Sequence, residues 1–351
     1  MPAARPLIRP FSGLRPRSEY AAAVAAPPYD VLSSEEARQR AAGKPFSFLH
    51  ISKAEIDLPP EIDHYAPEVY ARSAENLRKL IDEGILIRDT RPCYYAYRLV
   101  MGTHTQSGLI AAASVADYDA NRICKHEFTR PDKEDDRVRQ IEALNAQTGP
   151  VLLAHPDSEE AERLIAAATS GTPVADLTAD DGIRHTIWLI DEPSAIERIG
   201  AVIGALPSLY IADGHHRSAA ASRVAAARRG QGRPDSAEYF LAVIFPARQM
   251  RIMDYNRVVR DLNGHSLDSF LQAVGERCTV TSCAGRVTAE RTGTFGMYVD
   301  GRWYRLAISP DRVPTEDPVR RLDVSVLSEQ ILDPILGIAD LRRDTRIDFV
   351  G

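Results

Sequence analysis

Between residues 151 and 245 the apolar positions switch repeatedly between two periods. Runs of strand type at 151–154, 184–190, 209–213 and 238–245 alternate with helical stretches at 158–168, 194–206 and 218–227. That alternation predicts an α/β core. Residues 93–100 and 108–115 read as two strands joined by a turn at 101–107, and 278–282, 295–299 and 303–308 as a small antiparallel unit. The fold class expected is therefore α/β with a mixed, α+β-like sheet carrying additional hairpins and helices. Further helices are predicted at 66–83, with Leu77, Leu80 and Ile81 on one face and Gly84 as the stop, and at 131–146, 266–274 and 317–332. Ser33-Ser34-Glu35-Glu36 reads as a cap and acidic first turn for a helix ending near Gly43, and 47–51 as a short strand. Gly149-Pro150 breaks the 131–146 helix. It marks a boundary between 1–149 and 150–351, a single domain being the alternative.

The strand-type run at 209–213 ends in a junction that carries chemistry. Asp213-Gly214-His215-His216-Arg217 combines a glycine turn, two histidines and an arginine at a helix start. Helix N-termini present unpaired N–H groups and a positive dipole end, which suit anions and above all phosphate. Cations in a first turn work against that dipole, and a bound anion removes the conflict. Arg217 adds a planar fork matched to phosphate oxygens. The plainer reading is an ordinary strand-to-helix turn with a surface histidine pair.

A second cluster is Lys125-His126-Glu127-Phe128-Thr129-Arg130-Pro131-Asp132-Lys133-Glu134-Asp135-Asp136-Arg137. A solvated helix start accounts for much of it: Thr129 or Asp132 as cap, Pro131 near the first turn, acids favoured by the dipole. It does not account for His126-Glu127. The zinc-protease motif is excluded, because position 130 is Arg. On the functional reading Glu127 and Asp135 are Mg²⁺ ligands and Arg130 and Arg137 phosphate contacts. A third cluster, Pro27-Pro28-Tyr29-Asp30, is either a turn or a stiff segment holding Tyr29 and Asp30 at a pocket edge, with Asp30 a general base or metal ligand. Asn145-Ala146-Gln147-Thr148-Gly149-Pro150 is most simply a helix end and loop, although its amides suit a polar pocket. His50, His104 and Asp254-Tyr255-Asn256-Arg257 read as structural or incidental.

Composition narrows the choices. The 351 residues carry a formal net charge of -6, which argues against a general nucleic-acid or membrane-surface binder. The four cysteines form no Cys-x-x-Cys pair and sit beside no histidine at zinc-finger spacing. Cys278 and Cys283 are placed to meet across a hairpin, yet so few cysteines in so long a chain suit a reducing compartment. No apolar run has signal-peptide or membrane-spanning length, so the expected location is cytoplasmic. A P-loop, a Gly-x-Gly-x-x-Gly turn after a strand and a Gly-x-Ser-x-Gly elbow are all missing from the sequence.

Taken together and in this order, Ala26-Pro27-Pro28-Tyr29-Asp30-Val31, Lys125-His126-Glu127-Phe128-Thr129-Arg130-Pro131, Asp136-Arg137, Asn145-Ala146-Gln147-Thr148-Gly149-Pro150 and Ala212-Asp213-Gly214-His215-His216-Arg217 resemble the DUF1015 family over nearly the whole chain. The last of these is in turn similar to the Gly-Glu-His-Arg-type box of the ParB/sulfiredoxin-like superfamily, whose equivalent turn binds nucleotide phosphates and which includes free-serine kinases. The resemblance implies a ParB/sulfiredoxin-like core, with Gly214, His215, His216 and Arg217 holding phosphates and the Pro-Pro-Tyr-Asp segment beside the acceptor. It also implies a further segment, ending in a Pro-Pro-Lys-Ser/Thr-type motif, after Phe349-Val350-Gly351.

The leading expectation is a phosphotransferase acting on a small hydroxyl metabolite, with free L-serine implied by the resemblance. Its donor is ATP, ADP or pyrophosphate. Mg²⁺ bridges the donor through acids drawn from Glu127, Asp213 and Asp135, and Asp30 or His215 takes the hydroxyl proton. The alternative is a non-catalytic, ParB-like nucleotide-binding regulator. A DNA-binding adaptor is disfavoured by the acidic charge balance.

Overall fold

The computed structural model describes residues 5–231, 235–289, 291–314, 316–341 and 343–350. It divides into two compact units, one ending at Arg251 and the other beginning at Ile252. The strands of the first are β1 (Ile8–Arg9), β2 (Leu14–Pro16), β3 (Leu86–Arg88), β4 (Tyr94–Met101), β5 (His104–Ser114), β6 (Ile123–Cys124), β7 (Val151–His155), β8 (Ala175–Thr178), β9 (Arg184–Ile190), β10 (Leu209–Asp213) and β11 (Tyr239–Pro246). Its helices are α1 (Ala21–Val24), α2 (Ser34–Ala41), α3 (Leu49–Ser52), α4 (Pro67–Asp82), α5 (Val115–Asp119), α6 (Pro131–Leu144), α7 (Glu159–Ala168), α8 (Pro193–Gly204) and α9 (His215–Arg228).

Among the described residues, nine of these strands form one mixed sheet in the order β6-β10-β7-β11-β5-β4-β9-β8, with β1 beside β5. β11 runs parallel to β7 and antiparallel to β5; β10 runs antiparallel to β7 and parallel to β6. Strands from both sides of Gly149-Pro150 thus share one sheet. Seven of the eight residues of β11 are buried, as a strand covered on both faces requires. Leu153, Leu209, Ile211, Phe240 and Ile244 fill the core beside it. α9 packs there through Ala219, Ala221 and Ala225, whose small side chains let a helix approach a sheet closely. α6 lies against α9 on one side and α4 on the other.

The second unit contains β12 (Asn256–Val259), β13 (Cys278–Cys283), β14 (Thr294–Val299), β15 (Arg302–Ile308) and β16 (Ile347–Val350), with α10 (Leu267–Gly275) and α11 (Asp323–Leu327). β15 lies between β13 and β14, and β12 pairs with β16. Phe270, Leu306, Val326 and Ile338 belong to its core.

The α/β class and mixed sheet are as expected, but five local readings need correction. Residues 47–51 are not a strand: Leu49–Ser52 is a helical turn whose Ile51 carbonyl accepts from Ser73 Oγ (2.6 Å) and Gln140 Nε2 (3.1 Å). A short apolar run carries no periodicity to separate the two. The β4–β5 turn is only Gly102-Thr103, because the ladder continues through polar residues to Met101↔His104. On α4, Ile81 is 41% exposed, and Val69, Tyr70 and Ser73 share the buried face with Leu77 and Leu80. The 317–332 helix begins only at Asp323, since the Asp317 carboxylate accepts from the N–H groups of Val319 and Arg320 and holds a turn. Cys278 and Cys283 end the same strand, an odd separation that turns them to opposite faces, and all four thiols are free. No helix of the described residues is long and apolar enough to cross a membrane.

Candidate functional site

β10 and β7 slip register between Ile211 and Asp213, an irregularity that re-aims the strand end. Gly214 follows at φ +98°, and α9 begins there with no side-chain cap. A β-carbon on Gly214 would lie 3.2 Å from Arg217 Cζ and 3.3 Å from Val151 Cα. Both the left-handed backbone and the space therefore select glycine. Arg217 folds back over this turn, pairing with Asp213 and donating to the Pro150 carbonyl. Gly149 leaves room for it, since a β-carbon there would lie 3.2 Å from Arg217 Cδ.

The loop before α6 is fastened to the same turn. Glu127 Oε2 lies 3.1 Å from His215 Nδ1, and the His126 N–H reaches His215 Nε2 at 3.5 Å. The His126 and His215 rings meet edge-on with centroids 4.4 Å apart. The Arg130 N–H donates to His216 Nε2 at 3.1 Å. With Nε2 accepting, neutral His216 carries its proton on Nδ1. His215 is buried, and burial followed by the neighbouring His126 lowers its pKa, so the ring stays neutral.

The Pro-Pro-Tyr-Asp segment meets α6 through Tyr29. Tyr29 lies in a single 3₁₀ turn with Asp30. The Arg137 guanidinium sits 4.0 Å from the centre of its ring. Burial raises the Tyr29 phenol pKa against the opposing pull of Arg137 and, more weakly, Arg217. Arg137 is also paired with Asp136 at 2.5 Å, and Asp136 accepts from Tyr70 Oη at 2.9 Å.

The family model described as a protein of unknown function, DUF1015, matches residues 8–325. The chain belongs to the DUF1015 family. No curated protein and no solved structure matches it.

The DUF1015 segments quoted from the sequence divide into two kinds. Asp213-Gly214-His215-His216-Arg217, His126-Glu127 and the Arg130 N–H meet at the start of α9, and Tyr29 meets Arg137 of α6, the helix that packs on α9. Others serve the fold. Gln147 donates to Tyr239 O and accepts from Leu241 N, pairing with β11 just before β7 takes over at Ala242. Asn145 is the left-handed cap of α6, bonded to Arg228. His50 is held by Asp57 at 2.7 Å, and Arg257 lies over the stacked Tyr255 and Phe349 rings.

The acids named for a metal do not converge. Asp135 pairs with Arg223, about two turns along α9. Asp213 faces Arg217, and Glu127 faces His215. Among the described residues no three His, Cys, Asp or Glu side chains come together as a metal set, so these residues do not fit a resident Mg²⁺. The Arg130 side chain turns to Asp132 at 3.1 Å and contributes to the turn only through its N–H. Tyr70 joins these residues through Asp136 without having been singled out. Tyr70 lies on the apolar face of α4, where nothing in the sequence separates it from an ordinary core residue.

Proposed function

We propose that this DUF1015 protein is a phosphotransferase that moves a phosphoryl group from a polyphosphate donor to a small hydroxyl metabolite. The observation that carries the reading is the uncapped start of α9, with the Arg217 guanidinium folded over its glycine turn. A 14-residue helix with open N–H groups and a guanidinium fork folded over its first turn suits a polyanion better than any neutral ligand. The similarity of the Asp-Gly-His-His-Arg box to the ParB/sulfiredoxin-like phosphate-binding turn supports this reading, and serine is the first acceptor to test on that resemblance. Four free thiols suit a reducing, cytoplasmic setting.

The roles follow from exposure and partners. Arg217, Arg137 and the first N–H groups of α9 hold the donor, and His216 Nδ1–H adds a donor hydrogen bond. Asp30 is exposed beside Tyr29 and is assigned as the acceptor of the hydroxyl proton. His215 is poorly suited to that task, being buried with both ring nitrogens engaged. Its part, with Glu127, is to hold the 125–130 loop against α9. Mg²⁺ enters as the donor's counter-ion, part of the substrate.

The test is formation of a phosphorylated alcohol, serine first, from ATP, ADP or pyrophosphate. Asp30→Asn is expected to lower kcat by about 10²- to 10⁴-fold with donor affinity unchanged. Full activity in that variant removes Asp30 as the base. One observation favours the regulator as second reading: Glu127 and Asp213 are already engaged, the first by neutral His215 and the second by Arg217. Tight donor binding without turnover on a broad panel of alcohols would select it.

A further inference from the structure

We infer that Phe128 is the platform on which the base of the donor stacks, so that the donor is a nucleoside polyphosphate rather than inorganic pyrophosphate. The inference rests on the phosphate-site reading above and adds to it the identity of the donor's uncharged end.

The argument starts from how the loop is tied. Lys125 Nζ donates to the Tyr118 carbonyl at 2.9 Å and lies 4.2 Å from the centre of the Tyr118 ring. His126 and Glu127 engage His215, Thr129 Oγ1 donates to Glu134, and the Arg130 N–H donates to His216. Each neighbour of Phe128 in this six-residue loop thus has a partner. Phe128 is 87% exposed, and no ring or cation of the described residues lies against it.

Singly exposed apolar side chains are common on protein surfaces. This one differs because the backbone on both sides is committed to the anion-binding turn. Phe128 is therefore carried on a loop fastened to the start of α9 on both sides of it, not on a loose one. A flat apolar face beside a polyanion site matches the two ends of a nucleotide. Every base has a π-face, and stacking on one aromatic ring is tolerant of which base it is. Inorganic pyrophosphate offers nothing to cover the ring.

The experiment is calorimetric titration of the full chain with Mg-ATP and, separately, inorganic tripolyphosphate, which carries the same phosphates without a base. Phe128→Ala should weaken ATP binding by about 5- to 150-fold while leaving tripolyphosphate binding and the melting temperature unchanged. Phe128→Trp should keep ATP binding. Unchanged ATP affinity in Phe128→Ala, an equal loss for both ligands, or wild-type protein that binds tripolyphosphate as tightly as ATP overturns the inference and leaves the anion site standing. Failure of the wild type to bind either ligand overturns the anion site, and the inference with it.

Discussion

Arg217 is held from two sides before any ligand arrives, by Asp213 and by the Pro150 carbonyl. That fixes the fork over the turn, so little side-chain freedom is left to lose on binding. The Asp213 side chain is 62% exposed, and a pair of that kind contributes at most about 1 kcal/mol. Arg217→Ala should therefore cost little melting temperature. It should weaken pyrophosphate binding by about 10- to 150-fold, the worth of a charge-assisted bond of roughly 1.5–3 kcal/mol. Comparable losses of stability and affinity would make Arg217 a structural residue. Gly214→Ala tests the opposite balance. With φ at +98° and atoms at 3.2–3.3 Å, it should destabilise by about 1–3 kcal/mol in urea unfolding. Gly214, His216 and Arg217 could be read from the sequence because their chemistry is local to one turn. The cover that Arg137 places over Tyr29, and the support Tyr70 gives Asp136, join residues far apart in the chain. The packing of α4 on α6 brings Tyr70 to Asp136, and the approach of the 29–31 turn to α6 brings Tyr29 to Arg137.

At the scale of elements, the readings succeed where a period is sustained and fail where a side chain substitutes for backbone pairing. The strands and helices expected between 151 and 245 emerge close to their expected bounds; β8, only four residues long and with none of them buried, is not among them. Residues 47–51 and 317–322 fail because Ser73, Gln140 and Asp317 decide the local backbone from outside the local pattern. Gln147 is the clearest case of a side chain acting as strand. Its amide serves Tyr239 O and Leu241 N, which β7 does not reach. Gln147→Ala should cost about 1–3 kcal/mol by leaving those groups unpaired. Amide exchange at Leu241 should rise ahead of exchange at Val243. Unchanged protection at Leu241 would show that the bond contributes little.

For the whole molecule, the buried histidines set the response to acid. Burial lowers the pKa of His155 and His185, as it does that of His215. Their stabilising contribution is complete above the unfolded value of about 6.5 and is lost as pH falls below it. His50, raised by its bond to Asp57, works in the opposite direction and is outnumbered. The urea midpoint should fall from pH 7.5 to 5.5, and by less in His155→Leu, where one titrating group is gone. An equal fall in both proteins would exclude His155. The thiols give an independent check of the fold. Cys93 and Cys278 are buried, with pKa values raised by burial, and should react slowly with a thiol reagent in the native protein, Cys124 and Cys283 faster. The central claim is that the start of α9 is the anion site. Its most direct test is the shift of backbone amide resonances on titration with pyrophosphate. The account predicts the largest changes at the N–H groups of Gly214, His215, His216 and Arg217, abolished in Arg217→Ala. Largest changes elsewhere, or a pattern that survives Arg217→Ala, would contradict it.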